Sequence, residues 1–533
     1  MEADYFNGKI YTMDGANSVV EALSTSGGRI VETGSASTLR SHRASGAPRI
    51  DLHGLTVIPA LTDAHVHVFA HAEAGAWLDL AAARSLEDVL ESVSARLAAV
   101  KKGSWILGKG WDQNAWPDAR FPGKWSLDSI APDNPVYLKR VCGHAAFVNS
   151  AGLRAAGITR NTPDPPCGRV LRDALGEPTG ILLDSAAELA ASRIPYPTRE
   201  EKKRFLAVAA RRCLASGLVC VHEMGLSEEA VSIYRELDAS GELPIRVTAY
   251  LSADDAANGS FLESGPPPGR ADGLFRIIGA KFYMDGSLGA RSAALLADYS
   301  DDPGNRGILM HSAESLVRAV LPWHERGFQA AVHAIGDAAV RAALDACESL
   351  GRGGSTFDRR IRIEHAQVVS EADIPRFAKL AVVPSMQFIH CTSDMTWAQA
   401  RLGSARDSRA YAWRSLVETG AGICGGSDFP VESINPFRGI HAAITRRNAE
   451  GLPEEGWRSE ERLTAEEAVR AFTVGAAYAA HAEADAGSLS PGKLADFDVL
   501  SGDIFAMEPD GIMDVRVLAT VLGGEIVHRS DAF

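Results

Sequence analysis

Short apolar runs recur through the middle of the chain, and amphipathic helical stretches separate most of them. The runs are Thr56-Val-Ile-Pro-Ala-Leu-Thr, Gly217-Leu-Val-Cys-Val-His, Ile245-Arg-Val-Thr-Ala-Tyr and Arg276-Ile-Ile-Gly-Ala-Lys-Phe. Then come Gln329-Ala-Ala-Val, Arg360-Ile-Arg-Ile-Glu, Ala381-Val-Val-Pro and Ala421-Gly-Ile-Cys-Gly-Gly-Ser. Their lengths suit buried strands. Helical periodicity fills 200–216, 227–240, 313–327 and 337–350. Eight such β/α units predict an α/β fold, a TIM-type (β/α)8 barrel over 57–484. The stretch 73–199 does not fit the repeat. It is too long for one crossover and has its own helix (85–100) and strand (135–141), so it reads as an insertion after strand 1, emerging over the catalytic mouth. Short strands with Asn-Gly and Gly-Gly turns occupy 1–56 and 485–533. The two ends are expected to build one composite β-sandwich. Gly265-Pro-Pro-Pro-Gly and Gly351-Arg-Gly-Gly read as surface loops.

Metal-binding residue types sit at the ends of the counted strands. They are His65 and His67 in Asp63-Ala-His-Val-His, then Lys281, His333, His365 and Asp428. Parallel barrel strands point their C-termini into one mouth, so residues there converge. Two histidines spaced by two face one side of a strand end, with Asp63 expected as their hydrogen-bonding partner. Each residue alone has a plainer reading: core histidines, an ion-paired lysine, an aspartate in a Gly-rich turn. Their joint placement on strands 1, 4, 5, 6 and 8 favours a metal site. Imidazole and carboxylate suit Zn2+. Such an ion makes water nucleophilic near neutral pH, and Asp428 can carry the proton.

Composition narrows the class without choosing a substrate. The 533 residues are 46% hydrophobic and 23% charged, as in globular proteins. A net charge of −14 argues against nucleic acid and anionic membrane as partners. Seven scattered cysteines with no C-x-x-C pair suggest reduced thiols. With no signal-like N-terminus and no apolar run of about 18 residues, the cytoplasm is the expected compartment. No Gly-x-Ser-x-Gly elbow occurs, which disfavours a serine hydrolase.

The chain resembles the amidohydrolase superfamily, and within it family 3, the YtcJ-like branch that includes N-substituted formamide deformylases. The resemblance rests on Asp63-Ala-His-Val-His, Gly110-Trp-Asp, Gly143-His-Ala-Ala-Phe-Val-Asn-Ser, the segment from Lys281 to Leu295, Val332-His-Ala-Ile-Gly-Asp, Arg362-Ile-Glu-His-Ala-Gln, Gly426-Ser-Asp-Phe-Pro-Val and Gly492-Lys-Leu-Ala-Asp-Phe. It implies a distorted (β/α)8 barrel with a composite β-sandwich. It also implies one or two divalent metals; all six ligand positions are present, which favours two, zinc or another divalent ion. By position, His65, His67 and Asp428 would hold one metal and His333 and His365 the other, with Lys281 as a carboxylated bridge. Two motifs depart: Pro59-Ala-Leu-Thr-Asp replaces Pro-Gly-Phe-x-Asp, and Ser385-Met-Gln387-Phe388 replaces Ser-x-Gln-Pro.

On the substrate side, His144 could donate to a carbonyl oxygen or serve the insertion structurally. Trp111 and Asp112 are pocket candidates, with Trp116 close behind; aromatic packing within the insertion is the other reading. His222 ends strand 2 and faces the mouth. Asp285 and Arg291 follow Lys281 and could orient ligands, bind substrate or pair together. Gln367 and Gln387 are further pocket candidates. The sequence thus reads as a metal-dependent hydrolase of a non-peptide C–N bond in a small molecule, most simply an amide. A deaminase or an ester or lactone hydrolase on the same metal site is the alternative, and a non-catalytic scaffold a third. A homodimer is a family-based expectation.

Overall fold

All eight counted runs contribute strands to one parallel sheet. In the computed structural model, which describes residues 2–37, 39, 48–73, 77–266, 273–351, 358 and 360–533, these are β1 (Leu61–Val66), β2 (Leu218–Leu226), β3 (Arg246–Ser252) and β4 (Phe275–Tyr283). They continue with β5 (Gln329–Ala334), β6 (Arg362–His365), β7 (Val383–Gln387) and β8 (Cys424–Gly426). Each pairs with its sequence neighbour from β1 to β8. The ring is completed where Asp428 N–H donates to the His65 carbonyl at 2.8 Å and His67 N–H to that of Phe429 at 2.7 Å. Gly426 allows that approach: a Cβ there would lie 2.7 Å from His65 N and 2.8 Å from Asp63 Oδ1. The result is a TIM-type barrel, as the repeat predicted.

The run starting at Thr56 is not one strand. Thr56–Pro59 pairs antiparallel with Phe497–Leu500, and β1 begins only at Leu61. Pro59 has no N–H to continue the ladder. Ala60 N–H bonds to the Asp496 carbonyl instead, and the chain then enters the barrel. Thr56–Pro59 belongs to a six-stranded sheet that takes strands from both ends of the chain: Glu525–Arg529, Val517–Leu522, Phe497–Leu500, Thr56–Pro59, Lys9–Tyr11 and Val19–Val20, in that order. A four-stranded sheet of Arg29–Gly34, Ala22–Ser26, Ala3–Phe6 and Arg49–Asp51 accompanies it. Tyr5, Leu23 and Ile30 share one apolar cluster with Val57, Phe497 and Val521.

The chain divides into two compact units, Met1–Phe69 with Leu206–Phe533, and Ala70–Phe205. The second has its own six-stranded sheet: Gly168–Arg172, Pro178–Asp184, Ala145–Val148, Val136–Arg140, Ile106–Trp111 and Leu78–Asp79. Helix Leu86–Leu97 starts where Ser85 accepts from Asp88 N–H, and it buries Val89 and Val93. The expected loops at 265–269 and 351–354 fall largely outside the described residues. Among the described residues no helix is long and apolar enough to cross a membrane.

All seven cysteines are free, and only Cys142 and Cys167 are exposed. Burial works against the Cys142 thiolate, but the His144 N–H and Arg140 outweigh it and hold the thiol below its ordinary value. Native protein mixed with Ellman's reagent is expected to release two equivalents of thionitrobenzoate quickly, Cys142 reacting first, and the rest only after denaturation. A Cys142→Ser variant whose fast phase is unchanged would contradict that order.

Candidate active site

The C-terminal ends of the barrel strands bring the metal candidates together. His65 and His67 alternate onto one side of β1, with ring centroids 5.3 Å apart. The His365 ring lies 4.8 Å from His65 and 4.6 Å from His333. Ligand atoms of His65, His365 and Asp428 all fall within 4.8 Å of one another. Asp428 Oδ1 sits 3.2 Å from His67 Nε2 and 3.5 Å from His65 Nε2.

Local backbone makes this possible. In β6, alternation sends Arg362 and Glu364 inward, which would turn the next residue outward. His365 instead takes a left-handed conformation, φ 74°, followed by Ala366 at 40°. The turn brings its ring into the site. Asp428 is left-handed as well, φ 59°. Non-glycine residues held there are uncommon and collect at functional sites.

The imidazoles are oriented from behind. His65 Nδ1 lies 2.6 Å from Glu364 Oε2, so its proton sits there and Nε2 offers a lone pair forward. His67 Nδ1 donates to the Met224 carbonyl at 3.0 Å. Burial holds His65 and His365 far below the ordinary histidine value. Burial and then Lys281 bring His333 down to about 4. These rings are therefore neutral, the form that ligates metal. Burial also lowers the Lys281 amine to about 8.

Three donor atoms test whether an ion fits. His65 Nε2, His365 Nδ1 and Lys281 Nζ are buried and have no hydrogen-bond partner. Buried polar atoms in native proteins are nearly always satisfied. Three orphans beside a carboxylate are what a divalent cation would complete. The residues present fit the group.

Several sequence expectations change. Asp63 does not touch a histidine ring. It accepts from Ser427 N–H (3.0 Å), Ser427 Oγ (2.6 Å) and His65 N–H (3.1 Å), fastening β1 to the chain after β8. Glu364 takes the supporting role expected of it. Asp285 is buried and accepts from Ile335, Gly336 and Ala294 N–H, so it braces the loops after β4 and β5. Arg291 pairs with Asp301 at 2.9 Å rather than with Asp285. His222 is buried, with Nδ1 accepting from Arg362 Nη1 at 2.9 Å.

In the second unit, Trp111 is fully buried in the core, and its indole donates to the Leu138 carbonyl. Trp116 packs 5.8 Å from it, and Asp112 pairs with Arg140. His144 is exposed, its Nδ1 3.1 Å from Asp184 Oδ1. His390 was not singled out by the sequence. It lies just past β7, with its ring 6.3 Å from that of His365 and nearly parallel to it.

Comparison with known proteins agrees with this geometry. The family model described as the amidohydrolase family matches residues 49–528. YtcJ of Bacillus subtilis (strain 168) is 35% identical over 99% of this chain and 100% of its own length. N-substituted formamide deformylase of Arthrobacter pascens is 28% identical over 98% of this chain and 97% of its own. The crystal structure of an uncharacterized metal-dependent hydrolase from Pyrococcus furiosus superposes with a TM-score of 0.75 at 32% identity, covering 95% of this chain and all of that one. The chain belongs to the amidohydrolase family and is a hydrolase.

Proposed function

We propose that the protein hydrolyses the C–N bond of a small-molecule amide. The observation that carries this is the set of unpartnered buried donors at the barrel mouth, His65 Nε2, His365 Nδ1 and Lys281 Nζ, beside the Asp428 carboxylate. His65, His67 and Asp428 would hold one divalent ion and His333 and His365 a second, zinc by donor type. Lys281 would bridge them once its neutral amine adds CO2 and loses a proton to give an anionic carbamate. A bound divalent ion supplies Lewis acidity and lowers the pKa of water.

This chain's residues do the rest. Asp428 takes the proton of the attacking water as its oxygen adds to the carbonyl carbon. The same carboxyl returns the proton to the leaving nitrogen as the C–N bond breaks, giving a carboxylic acid and an amine. Likeness to N-substituted formamide deformylase makes N-substituted formamides the first compounds to try.

Elemental analysis of the wild type and Lys281→Ala tests the metal arrangement. Two equivalents falling to one or fewer supports the bridge. One equivalent unchanged by the substitution overturns it. Product analysis on an amide panel tests the reaction: amine with carboxylate supports it, and free ammonia from a ring-bound amino group would make the protein a deaminase.

A further inference from the structure

Two more buried polar atoms at these strand ends lack a hydrogen-bond partner, His390 Nε2 and Gln387 Oε1. His390 lies in the first turn of helix Phe388–Leu402, directly after β7. Gln367 Nε2 lies 3.3 Å from its Nδ1. The amide donates there, so Nδ1 carries the lone pair and the ring proton sits on Nε2. That Nε2–H is 3.9 Å from Asp428 Oδ2, too far to bond it. The residue is only 7% exposed. His390 is thus a fixed donor beside the carboxylate assigned as the base, with nothing to donate to.

Gln387 supplies the complement. Ser385 faces the barrel interior, where its Oγ accepts from Arg362 at 2.9 Å. Gln387, two residues on, faces the same side and sits closer to the mouth. Its Nε2 turns back onto the Ser385 carbonyl at 3.2 Å. Oε1 is left as an unused acceptor in a side chain 3% exposed.

A buried donor and a buried acceptor both call for partners. A secondary amide offers both: a carbonyl oxygen and an N–H. An ester or a tertiary amide offers only the oxygen. We propose that His390 and Gln387 read a secondary amide, His390 Nε2–H donating to the carbonyl oxygen and Gln387 Oε1 accepting the amide N–H. This rests on the amide-hydrolase reading and names its substrate class. The His390 donor strengthens as the oxygen gains negative charge, so its effect falls on kcat more than on KM.

The test uses metal-loaded full-length protein with N-phenylformamide and N-methyl-N-phenylformamide, which lacks the N–H. His390→Leu is expected to lower kcat on N-phenylformamide by about 100-fold. His390→Gln, whose amide nitrogen can replace Nε2, is expected to stay within about tenfold of wild type. Gln387→Leu is expected to cut the preference for the secondary over the tertiary amide by about tenfold or more. Calorimetric binding of phenylphosphinate, a tetrahedral mimic, is expected to weaken in His390→Leu while metal content holds, a readout independent of turnover. Equal losses in His390→Leu and His390→Gln, metal lost from His390→Leu, or an unchanged preference ratio in Gln387→Leu would each overturn the proposal. No release of amine and carboxylate from either formamide by the wild type overturns the hydrolytic reading instead, and the phenylphosphinate measurement still decides on His390.

Discussion

Replacing Asp428 with asparagine is expected to leave the barrel folded and to lower kcat on any amide it cleaves by about 1,000-fold, within the range lost with a general base. Asparagine is the gentle choice because the residue sits at φ 59°. Asparagine tolerates that left-handed region because its short polar side chain can hydrogen-bond locally, whereas alanine is strained there by about 1–2 kcal/mol. The backbone bonds that close the barrel, Asp428 N–H to the His65 carbonyl and His67 N–H to that of Phe429, do not use the side chain. The carboxylate itself has no substitute. Burial would raise its pKa, the His67 contact lowers it, and the net result is a carboxyl held well below its ordinary value. It is ionised at neutral pH and gives up an acquired proton readily, as a shuttle must. Metal content and thermal stability measured beside kcat separate a lost base from a lost site. Turnover within tenfold of wild type, with metal retained, would sink the assignment.

The barrel and the clustering of the candidate ligands were legible because both follow the period of the strands. Strand spacing fixes where the strand C-termini fall, and His65, Lys281, His333, His365 and Asp428 are named by lying there. What sits behind them was not legible, because it depends on contacts between strands far apart in sequence. Asp63 is adjacent to His65 and so invited the supporting role. The actual support, Glu364, is 299 residues away and reaches the ring only because β6 turns it inward. His390 carries no local signal, since its neighbours Gln367 and Asp428 come from other strand ends. Its one readable mark is its place three residues past the end of β7. The inward turn of His365 needs a positive φ that no residue type there announces. Pro59 did announce the break between the terminal sheet and β1, and it was read through because the apolar run continues across it.

Arg362→Met is expected to cost about 3–5 kcal/mol of the stability of the metal-free protein, because it strands a buried carboxylate. Arg362 lies fully buried inside the barrel and spends its N–H groups on five strands. Nε and Nη2 hold Glu364 of β6 at 2.8 and 3.1 Å. Nη2 also donates to the Ala64 carbonyl of β1 (2.6 Å) and Ser385 of β7 (2.9 Å). Nη1 reaches His222 of β2 (2.9 Å) and the Tyr250 hydroxyl of β3 (3.0 Å). A loss of that size is a large part of the 5–15 kcal/mol by which a typical domain stays folded. The consequence should reach the metal. Without Arg362, burial drives Glu364 to protonate. A protonated Glu364 donates to His65 Nδ1, which moves the ring proton to Nε2 and blocks the ligating lone pair. Metal affinity measured by chelator competition should fall about 10–100-fold. Glu364→Gln leaves no stranded charge on the carboxyl side, so its stability loss should be smaller while its loss of affinity is similar. Urea unfolding of the barrel unit ranks the two variants. If Arg362→Met unfolds within about 1 kcal/mol of wild type, the guanidinium is not what holds Glu364 ionised, and the orientation of His65 must come from elsewhere in the barrel.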